Sequence, residues 1–175
     1  MNEGRNVDLP DARLGATAAD GAGNEALAPF LICRSARCHC ALPLKHVAET
    51  MRPVPVERIE GMPDFLLGVA SIRGDVTPVV DMRRLIGVDI ESKPTRFVSL
   101  RVDERPLALA LDEVLGIRHL VRGTADRLPP LLGAMHDSAV SAISTLDDGL
   151  LLVLQCARLL SDEVRQQLAG ARDLR

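Results

Sequence analysis

The sequence predicts an all-β fold built from small barrels, with one short helix at the C-terminal end. Three observations predict it. Short apolar runs recur at close spacing with turn residues between them. Several runs alternate with a period of two, most clearly Leu107, Leu109 and Leu111 against Ala108 and Ala110. The sustained helical period, Leu160, Val164 and Leu168, stands near the C-terminus. Two small barrels sharing a core fit this pattern, and a single sandwich is the alternative.

Composition narrows the function classes. At 175 residues, 47% apolar and 26% charged, the chain has material for one domain with a substantial core. Aromatic residues make up only 2%, with neither Trp nor Tyr, so Leu, Val, Ile and Ala must fill that core. Binders of single-stranded nucleic acid use aromatic stacking platforms. Their absence here, with a net charge of −3, argues against a nucleic-acid partner. No apolar run is long enough to span a bilayer, so direct membrane insertion is not expected. The N-terminal stretch has early acids and no apolar block, unlike a secretory signal. A cytoplasmic chain with reduced cysteines is expected.

Taken in order, residues 1–28 are rich in Ala, Gly, Asp and Asn without an apolar period, and read as a disordered tail. Residues 29–44 (PFLICRSARCHCALPL) read as a hairpin. A loop at Ser35-Ala36 would place Cys33 across from Cys38. Cys38 and Cys40 share one strand face and His39 takes the other. The Cys-His-Cys triplet invites a metal reading, but a strand splays His39 away from both thiols and no second pair at zinc-finger spacing follows. Residues 43–49 leave the strand and can form one helical turn. Pro53 and Pro55 make residues 51–59 an extended piece at a sheet edge.

Residues 62–82 (MPDFLLGVASIRGDVTPVVDM) hold two apolar runs around Arg73, Gly74 and Asp75. Glycine and aspartate between β-formers signal a hairpin with Arg73 at its exposed tip. A solvated turn charge is the plain alternative reading of Arg73. Pro78 lacks an N–H, so its strand should lie at an edge or turn its unpaired side outward. Residues 82–86 form a helical turn stopped by Gly87. Residues 96–102 alternate, and so do 107–111, with leucine facing the core. Alanine on the other face implies something packed closely there. Residues 112–115 continue that strand, Gly116 marks a bulge or bend, and 117–121 form a further strand. Residues 122–128 are a loop, and Pro129-Pro130 rules out a central strand. Residues 140–146 and 150–154 flank Asp147-Asp148-Gly149, a strong hairpin signal. The second of these runs is apolar throughout and should be buried on both faces. Ser161 caps the final helix, Asp162 and Glu163 suit its N-terminus, and Gly170 ends it. The total is about nine short strands. The first half (30–82) and the second half (96–154) each read as two hairpins.

Catalytic constellations do not appear. There is no phosphate-binding glycine loop of the Walker type and no Gly-x-Ser-x-Gly elbow. His39, His46, His119 and His136 are scattered, and none pairs at metal-binding helical spacing. The residues alone point to an all-β interaction domain with no cofactor, not to an enzyme.

The central stretch resembles the CheW coupling-protein family, whose motif runs Pro-x-Phe-x-x-Gly-Val-x-Asn-Leu-Arg-Gly-x-x-x-Pro-Val-Ile-Asp-Leu. It stands here as Pro63, Phe65, Gly68, Val69, Arg73, Gly74, Pro78, Val79, Asp81 and Met82. Val47 and Glu49 resemble the family's Val-x-Glu segment, and residues 110–114 its Val-Asp-x-Val segment. The likeness covers about residues 29–160. It implies two interlocked five-stranded SH3-like barrels sharing a core. It also implies an adaptor that couples the cytoplasmic tip of a chemoreceptor to the regulatory domain of the histidine kinase CheA. By position, Val47, Glu49, Gly68, Arg73 and Val114 would line or shape the receptor-facing groove. Gly74, Pro78, Asp81 and Asp112 belong to the structural motif. The kinase would meet an apolar patch on the first barrel. Ser71 replaces the motif's Asn and Gln155 stands where an acid is common, which leaves the output open among flagella, pili and second messengers. The implied organisation is a tail over 1–28, a CheW-like domain over 29–160, and a C-terminal helix and tail over 161–175. A thiol- or metal-responsive sensor using Cys33, Cys38 and Cys40 is the alternative function.

Overall fold

Alternation along the strands sorts the side chains into three apolar clusters, and these define the architecture. A computed structural model describes residues 27–88, 92–121, 139–146 and 149–172. Ten strands appear among them: β1 (Leu27–Ser35), β2 (Cys38–Pro43), β3 (Val47–Met51), β4 (Leu66–Ile72), β5 (Asp75–Asp81), β6 (Arg96–Val102), β7 (Arg105–Leu111), β8 (Glu113–Val121), β9 (Val140–Leu146) and β10 (Gly149–Leu154). Two helices, α1 (Met82–Leu85) and α2 (Asp162–Arg172), complete the set with two short 3-10 turns. One five-stranded sheet has the order β8-β1-β2-β10-β9 and the other β3-β6-β7-β5-β4.

The two sheets are rolled into interlocked barrels. In β7, Ala108 and Ala110 face the inside of the second barrel with Ala70, Ile72, Val79 and Phe97. Leu107, Leu109 and Leu111 face the other way, into a large cluster shared by both barrels. The first barrel has its own interior around Phe30, Ile32, Ala41 and Leu151. Its neighbours Leu31, Cys33 and Leu42 join the shared cluster. Each buried leucine contributes on the order of 2 kcal/mol by leaving water. The close packing inferred from the alanine face is therefore the second barrel's interior. In β10, Leu151, Leu152 and Leu154 are all buried, as a run apolar at every position requires. Helix α2 begins where Ser161 Oγ accepts the Val164 N–H at 3.3 Å. It adds Val164 and Leu168 to the shared cluster. It runs past Gly170 to Arg172, because a glycine within a docked helix costs only about 1 kcal/mol relative to alanine.

Several expectations change. The barrels are not successive halves of the chain. The second barrel (β3–β7) is inserted between β2 and β8, and the first barrel closes afterwards. The parallel pairs β2–β10 and β5–β7 make this possible. Local hairpin signals carry no information about such long-range parallel pairing. The first hairpin turns at Ala36-Arg37, with Ser35 opposite Cys38 and Cys33 opposite Cys40. Ala36 adopts φ 54° there, and its N–H donates to Asp112 Oδ2 at 2.7 Å. Residues 44–46 make the expected single turn, and Val47 then opens β3, so the turn is shorter than 43–49.

Residues 112–115 do not extend β7. The chain breaks at Asp112 and crosses into the first barrel. The β1–β8 ladder is bulged next to Gly116, at φ 136°, as expected, with Leu115 left unpaired. Strand β5 is not an edge, because it lies between β4 and β7. Its pairing with β7 starts only at Val79, so Pro78 precedes the ladder that would need its N–H. The expected tail lies outside the described residues except for Leu27 and Ala28, which begin β1. The 122–130 loop, His136 and the Asp147-Asp148 turn also lie outside them.

Candidate functional site

The hairpin β4–β5 turns through Arg73 and Gly74, between the paired residues Ile72 and Asp75. Both turn residues have positive φ, 51° and 89°. That is the two-residue turn whose twist matches the flanking strands. Arginine is an unusual first residue for it, and holding a non-glycine there costs on the order of 1 kcal/mol. The side chain has a defined partner. Arg73 Nε donates to Glu49 Oε1 and Nη2 to Glu49 Oε2, each at 2.7 Å. The fork holds the Glu49 carboxyl below the usual glutamate range, chiefly by hydrogen bonding, and raises Arg73. Arg73 is nonetheless 78% exposed, while Glu49 is 26% exposed. Arg101 on β6 approaches Asp75 at 3.9 Å on the same tip.

The pair spans the barrel. Glu49 lies on β3, one edge of the second sheet, while β4 is the other edge. Backbone closes the same gap. The segment after β3 runs to Glu57, which exchanges N–H···O bonds of 2.7 and 2.9 Å with Val69 on β4. Gly68 makes this possible. A Cβ there would lie 2.0 Å from the Glu57 carbonyl oxygen, at a φ of 137°. The backbone that approaches Gly68 closely is the chain's own Glu57, and Gly68 is buried.

Val47 and Val114 are half-buried, on β3 and β8, and pack against the shared cluster with Val69. Val47 belongs to the second barrel and Val114 to the first, opposite Cys33. The structure thus joins Glu49 to Arg73 directly, while Val47 and Val114 are related through the core between the barrels. Asp81 caps α1, accepting the Arg83 N–H at 2.9 Å. Asp112 receives the Ala36 N–H, tying the barrels together.

Sequence reasoning missed Arg83, which is 1% exposed. Its Nη1 lies 2.7 Å from Ser92 Oγ and 3.6 Å from Asp112 Oδ1. The available signal was a cation two residues after a buried-strand aspartate, in a turn whose Met82, Leu85 and Ile86 are apolar. The thiols offer little chemistry. Burial pushes Cys33 up to about 12, Cys156 to about 11, and Cys38 and Cys40 upward as well. Among the described residues, no group of three or more His, Cys, Asp or Glu is placed to hold a metal ion. No helix among them is long and apolar enough to cross a membrane.

Two interlocked five-stranded barrels, with an exposed, internally braced arginine on one hairpin tip, define an all-β class of domain among the described residues. The sequence model for the CheW-like domain matches residues 29–164, and the chain belongs to that family. It is 24% identical to the chemotaxis protein CheW of Klebsiella aerogenes over 85% of this chain and 90% of that one. It is 23% identical to the chemotaxis protein CheW of Helicobacter pylori over 70% of this chain and 75% of that one. The crystal structure of the scaffolding protein TtCheW from Thermoanaerobacter tengcongensis shares the fold. Its TM-score is 0.64 at 20% identity, covering 74% of this chain and 90% of that one.

Proposed function

We propose that the protein is a non-enzymatic adaptor of a chemosensory system, coupling the cytoplasmic tip of a chemoreceptor to the regulatory domain of a CheA-type histidine kinase. The observation that carries this reading is the Glu49–Arg73 fork. It fixes a largely exposed guanidinium at a rigid tip, so little rotamer entropy remains to be lost when a partner docks. Val47 and Val114 supply apolar contact, and Gly68 shapes the surface by letting Glu57 close the barrel. Gly74, Pro78, Asp81 and Asp112 maintain the turn, the strand register and the crossing between barrels. The exposed Leu115 and Ile117 on β8, with Leu27 at the start of β1, are the first barrel's candidates for the kinase-facing patch. The working unit is the domain over 29–160 followed by the C-terminal helix and tail over 161–175, acting in the cytoplasm, with 1–28 as a tail. Co-purification of the full chain with a receptor signalling fragment and a kinase regulatory domain tests the proposal. Capture of both is expected. Failure of the folded protein to bind either one overturns it.

A further inference from the structure

The crossing from the second barrel back to the first is tied at all four polar atoms of one residue, Asp112. Its N–H donates to the Arg34 carbonyl at 3.1 Å, and its own carbonyl accepts the Thr95 hydroxyl. Its Oδ2 accepts the N–H of Ala36, at the tip of the first-barrel hairpin, at 2.7 Å. Its Oδ1 lies 3.6 Å from Arg83 Nη1. Arg83 belongs wholly to the second barrel and is almost completely buried. It also holds Ser92 Oγ at 2.7 Å and Asp81 Oδ1 at 3.4 Å. A chain of polar contacts therefore runs from Asp81 through Arg83 and Asp112 to the first-barrel hairpin.

Stability alone does not explain such a device. The shared apolar cluster already holds the barrels together, and burying an ion pair is often no better than burying hydrocarbon of the same volume. Apolar contact is non-directional and tolerates rotation of one surface on another. A buried guanidinium with fixed donors does not. The residues that follow Asp112 are Glu113 and Val114, which bring the first barrel to the candidate receptor surface. Glu113 is itself held by Arg34 at 2.6 Å. The rest of that surface, Val47, Glu49 and Arg73, stands on the second barrel.

We propose that Arg83 is a positioning residue, its buried guanidinium forming with the half-buried Asp112 a clamp that sets the angle between the two barrels. The clamp thereby sets the spacing of Val114 from the hairpin carrying Arg73. That second consequence rests on reading this surface as receptor-binding.

Residual dipolar couplings of the full chain, compared between the wild type and the variants Arg83→Lys, Arg83→Met and Arg83→Met/Asp112→Asn, test the clamp. Arg83→Met alone leaves both Asp112 and the buried Asp81 without their cation and is expected to be the least stable. The double variant removes both charges of the clamp, and Asp81 still caps α1 through the backbone N–H of residue 83, so the test stays available if the single variant fails to fold. One alignment tensor is expected to fit both barrels of the wild type. The double variant should stay folded and need separate tensors for the two barrels. Lysine keeps the charge without the fork, so it should recover melting temperature but not the barrel angle. A role in stability alone would not produce that split. Receptor-fragment affinity should fall about tenfold with the change in angle. An unchanged angle in the folded double variant overturns the clamp whatever happens to binding. A changed angle with unchanged receptor affinity keeps the clamp and overturns the receptor reading of the surface.

Discussion

Arg73 and Glu49, on opposite sides of the second barrel's seam, are joined by two parallel hydrogen bonds of 2.7 Å. The pair is solvent-facing, where ion pairs contribute little to stability. Its value is geometric, since a forked arginine is held in one orientation. Arg73→Ala and Glu49→Ala are each expected to weaken capture of a receptor signalling fragment about tenfold, with nearly unchanged thermal melting. Titration calorimetry beside a melting curve separates the two effects. A large loss of melting temperature in either variant would make the pair structural instead.

The same pair predicts a pH dependence. Glu49 titrates below the ordinary value of 4.5 because it accepts from Arg73. A depressed carboxyl contributes its stabilisation fully above the unfolded-state pKa and loses it as pH falls through the lower folded value. The hairpin brace should therefore hold at neutral pH and release only below the ordinary glutamate range. Following the Glu49 carboxyl carbon by NMR gives its titration directly. In Arg73→Ala the midpoint should move up toward the ordinary value, and an unmoved midpoint would mean that the fork does not persist in solution.

Gly68→Ala should be far more damaging than either charge deletion. The new methyl would meet the Glu57 carbonyl oxygen at 2.0 Å, and alanine would have to adopt φ 137°. Neither strain is relieved without undoing the Glu57–Val69 bridge that closes the barrel. A loss of at least about 3 kcal/mol in denaturant unfolding is expected. A loss under about 1 kcal/mol would show that the backbone closure gives way easily.

How much of this was legible in the sequence depended on the range of the interaction. The Arg73-Gly74 turn, the leucine and alanine faces of β7, the Gly116 bulge and the Ser161 cap are local, and local pattern reports them. Glu49 and Arg73 both stood among the candidates through the motif resemblance, but nothing local shows that residues 24 apart bind each other. β3 was hidden because Leu44, Lys45 and His46 form a real turn just before it. The crossing at Asp112 was hidden because apolar residues, Val114 and Leu115, resume directly after Asp112 and Glu113. Only the contacts with Arg34, Ala36 and Arg83 reveal the break, and those arise in the assembled fold.

The cysteines give a chemical test of burial. Cys33, Cys40 and Cys156 are buried and Cys38 is half-buried. With their pKa values pushed above the ordinary 9.0, none is thiolate at neutral pH, and the thiolate is the reactive form. A disulfide reagent at pH 7 should modify Cys38 first, and the other three only as the chain unfolds. The folded state holds its thiol protons above the unfolded pKa, so these groups should lower stability as pH rises past about 9. Fast reaction of Cys33 or Cys40 in folded protein would revive the thiol-sensor reading.

The alternation in β7 separates two kinds of core position in one strand. Leu109 fills the cluster between the barrels, and Ala110 lies inside the second barrel beside Phe97 and Val79. Both are fully buried. Leu109→Ala removes apolar volume from a dense region and should cost about 2–5 kcal/mol. Ala110→Leu adds volume where the barrel wall leaves none and should cost about 1–3 kcal/mol through strain. The two differ in where the damage appears. The leucine deletion should loosen α2, because Val164 and Leu168 pack into the same cluster. The alanine enlargement should disturb β4–β6 and leave α2 protected. Hydrogen exchange on the two variants reads this out. Equal loss of α2 protection in both would mean that the barrel interior and the shared cluster unfold as one unit.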